Sequence, residues 1–269
     1  MNDVLFQPLT AGALQMKNRL VMAPMTRSRA DDDGNVGELT ATYYAQRASA
    51  GLIITEGIYP EPMGRGYVRT PGLVTRQHVA GWRRVTDAVH ARGGRIVAQL
   101  MHVGRISHPS LLPGGATPLA PSAVRPAGER HTDAGPQAHV TPEALTHDGI
   151  QAIVGHFADA AGRALEAGFD GVALHGGAGY LAMQFLSPVT NLRNDGYGGN
   201  PRNRARFTVE VLEAMSRRIG VDRVGLKLTP GMTFNDMHDP DPVTTCTALL
   251  DAIAHLPLAF LDVSPGDAA

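Results

Sequence analysis

The sequence predicts an α/β fold, a barrel in which parallel strands alternate with helices. Six apolar runs are separated by helical patterns, an order typical of a parallel sheet. Each of the first five runs ends in a polar or small residue. A barrel brings all its strand ends to one mouth, whereas an open doubly wound sheet has its site at one switch point. These ends therefore favour the barrel.

Six segments are predicted to be strands, and a short hairpin, LFQPLTAGALQMKN, precedes them. The strands are RLVMAPMT from Arg19, LIITEG from Leu52, RIVAQLMH from Arg95, GVALHG from Gly171, VGLKLTP from Val224 and AFLDVS from Ala259. In the fourth strand Val172 and Leu174 share one face, and Ala173 and His175 share the other. We expect the apolar face to pack against helices.

Five helical stretches lie between the strands, and most have recognisable ends. They cover residues 38–50, 75–93, 146–168, 200–220 and a last stretch from 241. Thr75 is the predicted cap of the second helix, and Gly93 is its left-handed terminator. Asn200 and Asp241 each precede a proline, which favours a helix start.

The composition indicates one globular unit without a nucleic-acid or membrane partner. The chain has 43% hydrophobic and 18% charged residues and a net charge of -1. A single cysteine, Cys246, excludes an internal disulfide, and residues 1–10 lack the pattern of a signal peptide. We expect a cytoplasmic protein with one domain over residues 1–269, in which residues 103–141 form a long, lid-like loop rich in Gly, Pro and Ser.

The polar residues at the strand ends have both functional and structural interpretations. His175 alone could be a hydrogen-bonded core histidine, and Tyr180 an ordinary packing residue. Lys227 is harder to explain in that way, because a buried lysine is rare without a partner or a task. The run HGGAGY matches neither common nucleotide-binding glycine motif, and the histidines have no metal-ligand spacing. We therefore predict no metal site.

Seven segments, in order, carry a resemblance to a known family. They are LFQPL, NRLVMAPMTR, YYAQRASAGLIITEG, GRIVAQLMHVGR, EAGFDGVALHGGAGYLAMQFLSP, YGGNPRNRARF and RVGLKLTP. The chain resembles the Old Yellow Enzyme family of FMN-dependent NAD(P)H oxidoreductases, or ene-reductases, over residues 5–264. The resemblance implies a TIM-type (β/α)8 barrel, in agreement with the barrel that the strand pattern favours.

The resemblance implies a set of FMN-binding residues. They are Pro24, Met25, Thr26, Gly57, Gln99, His175 and Lys227. Thr26 would lie near the O4 and N5 edge of the flavin, and Gly57 would let the ring approach the backbone. Gln99 would hydrogen-bond the pyrimidine edge. Lys227 would lie beside N1 and O2, where negative charge gathers on reduction.

The resemblance also implies the reaction and the residues that contact substrate. NAD(P)H would reduce the flavin, which would pass a hydride to an activated alkene such as an enone or nitroalkene. The substrate residues would be Thr26, Tyr67, His175, Ala178 and Tyr180. His175 would donate to the substrate oxygen, and Tyr180 would protonate the α-carbon. No nucleic acid or membrane is implied.

The sequence has two main departures from the family pattern. The family has Asn or His three residues after the histidine, but Ala178 stands there, so one donor to the substrate oxygen is absent. The sequence stops soon after the sixth strand, so we expect a C-terminally truncated barrel with about six of eight βα units. Its two open edges invite self-association or a completing chain.

Two alternatives to a working ene-reductase follow. One is a degenerate, non-catalytic member that binds flavin weakly or needs a partner chain. The other is a barrel aldolase with Lys227 as its Schiff-base nucleophile, which the family resemblance disfavours.

Overall fold

A six-stranded parallel sheet organises the fold in the computed structural model, which describes residues 4–264. Along the sheet the strands follow the order β12, β11, β10, β5, β4, β3. These strands are β3 (Val21–Met22), β4 (Leu52–Ile58), β5 (Ile96–Leu100), β10 (Gly171–His175), β11 (Val224–Leu228) and β12 (Phe260–Val263). All six predicted strands are thus confirmed, and β3 and β12 form the two edges of the sheet.

Six short strands lie outside this sheet. They are β1 (Leu9–Ala11), β2 (Leu14–Met16), β6 (Leu119–Ala120), β7 (Glu129–Thr132), β8 (Gly135–Ala138) and β9 (Glu143–Ala144). The β1–β2 pair is the hairpin predicted at the start of the chain. The segment predicted to be a loop, 103–141, contains β6 and the antiparallel hairpin β7–β8.

Six α-helices are present within residues 4–264. They are α1 (Glu38–Ala45), α2 (Arg76–His90), α3 (His147–Glu166), α4 (Leu181–Leu186), α5 (Pro201–Ile219) and α6 (Pro242–Ile253). The side chains of Thr75, Thr146, Asn200 and Asp241 cap the four longest helices, each by accepting a backbone N–H of the first turn. The predicted starts of these helices are confirmed.

Two helices differ from the sequence prediction. The first helix ends at Ala45, because residues 47–50 continue in tight turns with i to i+3 hydrogen bonds. These turns lead to Gly51, where a Cβ atom would lie 1.9 Å from the carbonyl oxygen of Asn18, so only glycine fits. Helix α4 was not predicted, because its six residues are all buried and carry no amphipathic pattern.

The alternation along the strands separates two apolar regions. Val172, Leu174 and Leu226 join the helices in the larger core. Val97 and Ile54 point to the other face, where they pack with residues of the β1–β2 hairpin. The prediction that the apolar face meets the helices is confirmed. The opposite face is left for small and polar residues at the carboxyl ends of the strands.

Candidate active site

A cavity of about 260 Å³ lies at the carboxyl ends of the strands. All ten predicted site residues line it: Pro24, Met25, Thr26, Gly57, Tyr67, Gln99, His175, Ala178, Tyr180 and Lys227. Met101 and Phe234 complete the lining. No sequence pattern points to Phe234, because it lies in the long connection between β11 and α6. The structure thus brings the predicted residues together in one pocket.

The strand register explains how residues far apart in sequence meet. Gln99 lies opposite Gly57 on one side and Ala173 on the other. His175 pairs with Lys227, which in turn pairs with Asp262 on β12. Paired residues of neighbouring strands point to the same face, and Ala173 precedes His175 by two residues, so Gln99 lies on the same face as the row formed by His175, Lys227 and Asp262. The polar ends that favoured a barrel in the sequence therefore lie on one face of the sheet.

The Gln99 side chain carries a buried donor without a partner. Gln99 is 2% exposed, and its Nε2 has no hydrogen-bond partner among the residues that the structure describes. A buried amide without a partner is costly, so such groups point to an absent acceptor. Because Gln99 lines the cavity, a ligand with a hydrogen-bond acceptor fits at this position.

His175 presents a neutral imidazole to the cavity. Its Nδ1 accepts the backbone N–H of Gly177 at 3.3 Å, which leaves the proton on Nε2. Burial, and secondly the charge of Lys227, lowers the pKa of His175 to about 3. The ring therefore stays uncharged near pH 7. It can donate one hydrogen bond to an oxygen atom in the cavity without carrying a charge.

Tyr180 is a buried phenol beside this imidazole. The two rings meet edge to face, with centroids 4.7 Å apart. The hydroxyl oxygens of Tyr180 and Tyr67 lie 2.6 Å apart. Burial, and secondly the neighbouring Tyr67, raises the pKa of Tyr180 above its ordinary value. The phenol therefore holds its proton at neutral pH, as a general acid must.

Ala178 lies in a backbone conformation that is unusual for alanine. Its φ is 51°, in the left-handed region that Asn and His adopt more readily than other non-glycine residues. Its N–H donates to Thr229 Oγ1 at 2.8 Å, and its carbonyl accepts from Asn235 Nδ2 at 2.8 Å. The backbone is thus held at this φ, while the methyl side chain gives the cavity no donor.

Lys227 has a partner that the sequence analysis did not foresee. Its Nζ donates to Asp262 Oδ2 at 2.9 Å and to Ser264 Oγ at 2.9 Å. The ion pair explains how a largely buried ammonium group is tolerated. It also means that the positive charge at this wall of the cavity is partly compensated by a carboxylate.

Gly57 lies under the Met101 side chain. A Cβ atom at this position would lie 2.4 Å from Met101 Cε. The glycine therefore makes room for Met101 at the cavity wall. Its predicted role toward a flavin ring remains a prediction.

A buried carboxylate supports the segment that carries Thr26. Glu56, 2% exposed, accepts the backbone N–H of Arg27 on Oε2 at 3.0 Å. The Tyr44 hydroxyl accepts the Glu56 N–H at 2.8 Å and contacts Oε1 at 3.4 Å. Burial, opposed by these hydrogen bonds, raises the pKa of Glu56 to about 7. Glu56 thus holds the backbone next to Thr26, a residue of the cavity lining.

We expect the Glu56→Gln variant to be more stable than the parent protein at pH 8 but not at pH 4.5. The folded-state pKa of about 7 exceeds the ordinary 4.5, so protonated Glu56 favours folding at low pH. That contribution is lost as the pH rises through 7, at a cost on the order of 3 kcal/mol. Urea unfolding at both pH values measures the difference.

The same change at the exposed Glu166 is the control, and it should give no pH-dependent difference. A constant gap between Glu56→Gln and the parent from pH 4.5 to 8 would contradict the assignment of a raised pKa.

Two features are absent from residues 4–264. No helix there is long and apolar enough to cross a membrane. No group of three or more His, Cys, Asp or Glu side chains in that range could hold a metal ion.

A parallel α/β sheet with its pocket at the carboxyl ends of the strands defines an incomplete TIM-type barrel. Residues 4–263 match the NADH:flavin oxidoreductase / NADH oxidase family. The chain belongs to this family, which confirms the resemblance seen in the sequence.

Individual relatives support the same assignment. Flavin oxidoreductase hxnT of Emericella nidulans is 43% identical over 95% of this chain and 66% of its own length. A Leishmania infantum protein named "Probable flavin mononucleotide-dependent alkene reductase" is 42% identical over 98% of this chain and 74% of its own. The solved structure of an old yellow enzyme homologue from Zymomonas mobilis superposes with a TM-score of 0.95 at 39% identity, covering 98% of this chain and 74% of that one. The chain therefore spans about two thirds to three quarters of the length of these proteins.

Proposed function

We propose that this protein is an FMN-dependent NAD(P)H oxidoreductase that reduces the C=C bond of activated alkenes such as enones and nitroalkenes. The observation that carries the proposal is the pocket, in which a neutral imidazole, a buried phenol and an unpartnered amide meet. The family membership and the names of the relatives support it. We also propose that it acts in the reducing cytoplasm, where its single Cys246 would stay a free thiol.

The residues present fit a flavin. The unpartnered Gln99 amide offers a donor to the ring, and Lys227 offers a positive charge. Pro24, Met25 and Thr26 would line its edge, on the segment held by Glu56. When bound, FMN supplies the chemistry that side chains lack, namely uptake of a hydride from NAD(P)H and its transfer to carbon.

His175 and Tyr180 would act on the alkene itself. The His175 Nε2–H would donate to the carbonyl or nitro oxygen and stabilise the negative charge that develops there. Tyr180 would give its proton to the α-carbon, and burial keeps that proton in place until it is needed. Hydrogen bonding at one end of the alkene and proton donation at the other would orient the substrate.

We expect Asp262→Asn to raise the reduction potential of bound FMN. Asp262 now compensates the ammonium of Lys227 at 2.9 Å, and its removal leaves more positive charge to favour a reduced, negatively charged flavin. The expected rise is roughly 20 mV, which corresponds to about 1 kcal/mol for two electrons. Equilibration with a reference dye under reducing conditions measures the potential.

An Asp87→Asn change serves as the control, since Asp87 is exposed on α2. An unchanged or lower potential in Asp262→Asn would contradict the proposed position of Lys227 beside the flavin.

The cofactor assignment is tested by a visible absorption spectrum. The purified protein is incubated with FMN, passed through a desalting column and compared with protein carrying Gln99→Leu. Retained flavin absorbance in the parent and weaker retention in the variant are expected. A parent protein that stays colourless would refute the proposal for this chain and favour a non-catalytic family member.

A further inference from the structure

Tyr180 lies in hydrogen-bond contact with a second phenol. Its hydroxyl is 2.6 Å from that of Tyr67, and the rings meet edge to face at 6.5 Å. Such a separation is short for an O–H···O hydrogen bond. Tyr180 is only 6% exposed, whereas Tyr67 is partly exposed. Tyr67 is therefore the member of the pair that solvent reaches.

Arg130 places a buried, uncompensated charge on this pair. It lies on β7 of the β7–β8 hairpin, is 7% exposed, and its guanidinium carbon is 4.3 Å from the centroid of the Tyr67 ring. Within residues 4–264, its Nε has no hydrogen-bond partner and no carboxylate forms an ion pair with it. Burial of a cation without a counterion costs free energy of folding, so a function that uses the charge of Arg130 would explain its position.

We propose that Tyr67 passes protons from solvent to Tyr180, and that Arg130 stabilises the negative charge that moves along the pair. The inference rests on the proposed function, in which Tyr180 protonates the substrate. The Tyr180 O–H bond breaks as the substrate C–H bond forms. The Tyr180 oxygen then takes the proton of Tyr67, and Tyr67 takes one from water. Each turnover thus consumes one solvent proton, and no electrons move in the relay.

The electrostatics of the pair agree with this role. Burial is the main reason that the pKa of Tyr180 is raised, and Tyr67 adds to it, so an isolated phenolate here would be strongly disfavoured. The positive charge of Arg130 lowers the pKa of Tyr180. Arg130 therefore makes the Tyr180 phenolate that forms after proton transfer less unfavourable.

Hydroxyl exchange tests the relay without reference to turnover. Protein labelled with ¹³C at tyrosine Cζ is observed by NMR, as purified, in equal volumes of H₂O and D₂O. A hydroxyl that exchanges quickly gives one averaged signal, and one that exchanges slowly gives two. The signal of Tyr180 is assigned because it disappears in Tyr180→Phe. We expect one averaged Tyr180 signal in the parent and two in Tyr67→Phe. One signal in both proteins would overturn the relay.

Steady-state turnover provides the second test, with 2-cyclohexenone and whichever of NADPH and NADH reduces the flavin as substrates. Flavin reduction and reoxidation are measured separately, and their rates predict kcat. The parent should match that prediction, whereas kcat of Tyr67→Phe should fall at least fivefold below it, because reprotonation becomes a separate slow step. Arg130→Met should show the same shortfall, and Arg130→Lys should largely restore turnover. A merely structural defect slows the half-reactions themselves, so the measured kcat would still equal the value predicted from their rates. That agreement in the Tyr67 and Arg130 variants would overturn the relay.

Tyr197 provides a matched control for the loss of a tyrosine hydroxyl. Tyr197→Phe removes the hydroxyl of a buried tyrosine that also lies beside an arginine, Arg206, but outside the cavity. It should leave exchange at Tyr180 and kcat unchanged. If the parent performs neither half-reaction, the proposed function fails and the relay fails with it. If both half-reactions occur and the variants show no shortfall, only the relay fails.

Discussion

The Tyr180→Phe variant is expected to reduce activated alkenes about 10² to 10⁴-fold more slowly than the parent, the range typical of a lost general acid. The phenol ring, its packing against His175 and the cavity shape are retained, but the hydroxyl that holds the transferable proton is removed. Reduction of the bound flavin by NAD(P)H requires no proton from Tyr180 and should proceed at the parental rate. Stopped-flow spectroscopy of each half-reaction separates the two effects.

Tyr197→Phe is the control for removal of a phenolic hydroxyl, and both of its half-reactions should stay at parental rates. Equal slowing of both half-reactions in Tyr180→Phe would indicate a disturbed flavin site. Parental reoxidation by 2-cyclohexenone would show that another group donates the proton.

The Ala178→Asn variant is expected to turn over enones about 10² to 10³-fold faster than the parent, the effect of one oxyanion donor. Ala178 lines the cavity three residues after His175, and its φ of 51° suits asparagine better than alanine. The substitution therefore adds a second N–H donor for the substrate oxygen at a backbone position that accepts it. Steady-state kinetics with 2-cyclohexenone measure the gain, and thermal unfolding shows whether the backbone tolerates the change.

Ala178→Leu is the matched control, because leucine has nearly the shape of asparagine but no donor. It should give no gain in kcat. An Asn variant that is no faster than the parent, or a Leu variant that is equally fast, would contradict the assignment of this position as the missing donor.

The sheet and the pocket were predictable because their signals are periodic or local. Alternation in β10 assigned His175 to the face opposite Val172 and Leu174, and the parallel register brings Lys227 to the same face. Capping residues such as Thr146 fixed the helix starts. The family resemblance then supplied roles for residues such as Tyr67, which no periodic pattern marks.

The parts that sequence reasoning missed depend on contacts between distant segments. Arg130 reaches Tyr67 from a hairpin within a segment whose composition predicted only a loop. Asp262 became a partner of Lys227 only through the register of the last strand. Glu56 lies at the polar end of the second predicted strand, but its hydrogen bond to the Arg27 N–H depends on the path of the chain after β3. Such pairings are set by tertiary structure and leave no local pattern.

One anaerobic experiment tests the central claim that this pocket uses FMN to reduce alkenes. FMN-loaded protein, freed of excess flavin, is mixed with NADPH, or with NADH in a parallel sample, and then with 2-cyclohexenone. If the claim holds, one of the nicotinamides bleaches the visible flavin band, the enone restores the band, and cyclohexanone forms in an amount equal to the bound flavin. A band that neither nicotinamide bleaches, or that stays bleached after the enone is added, would contradict it.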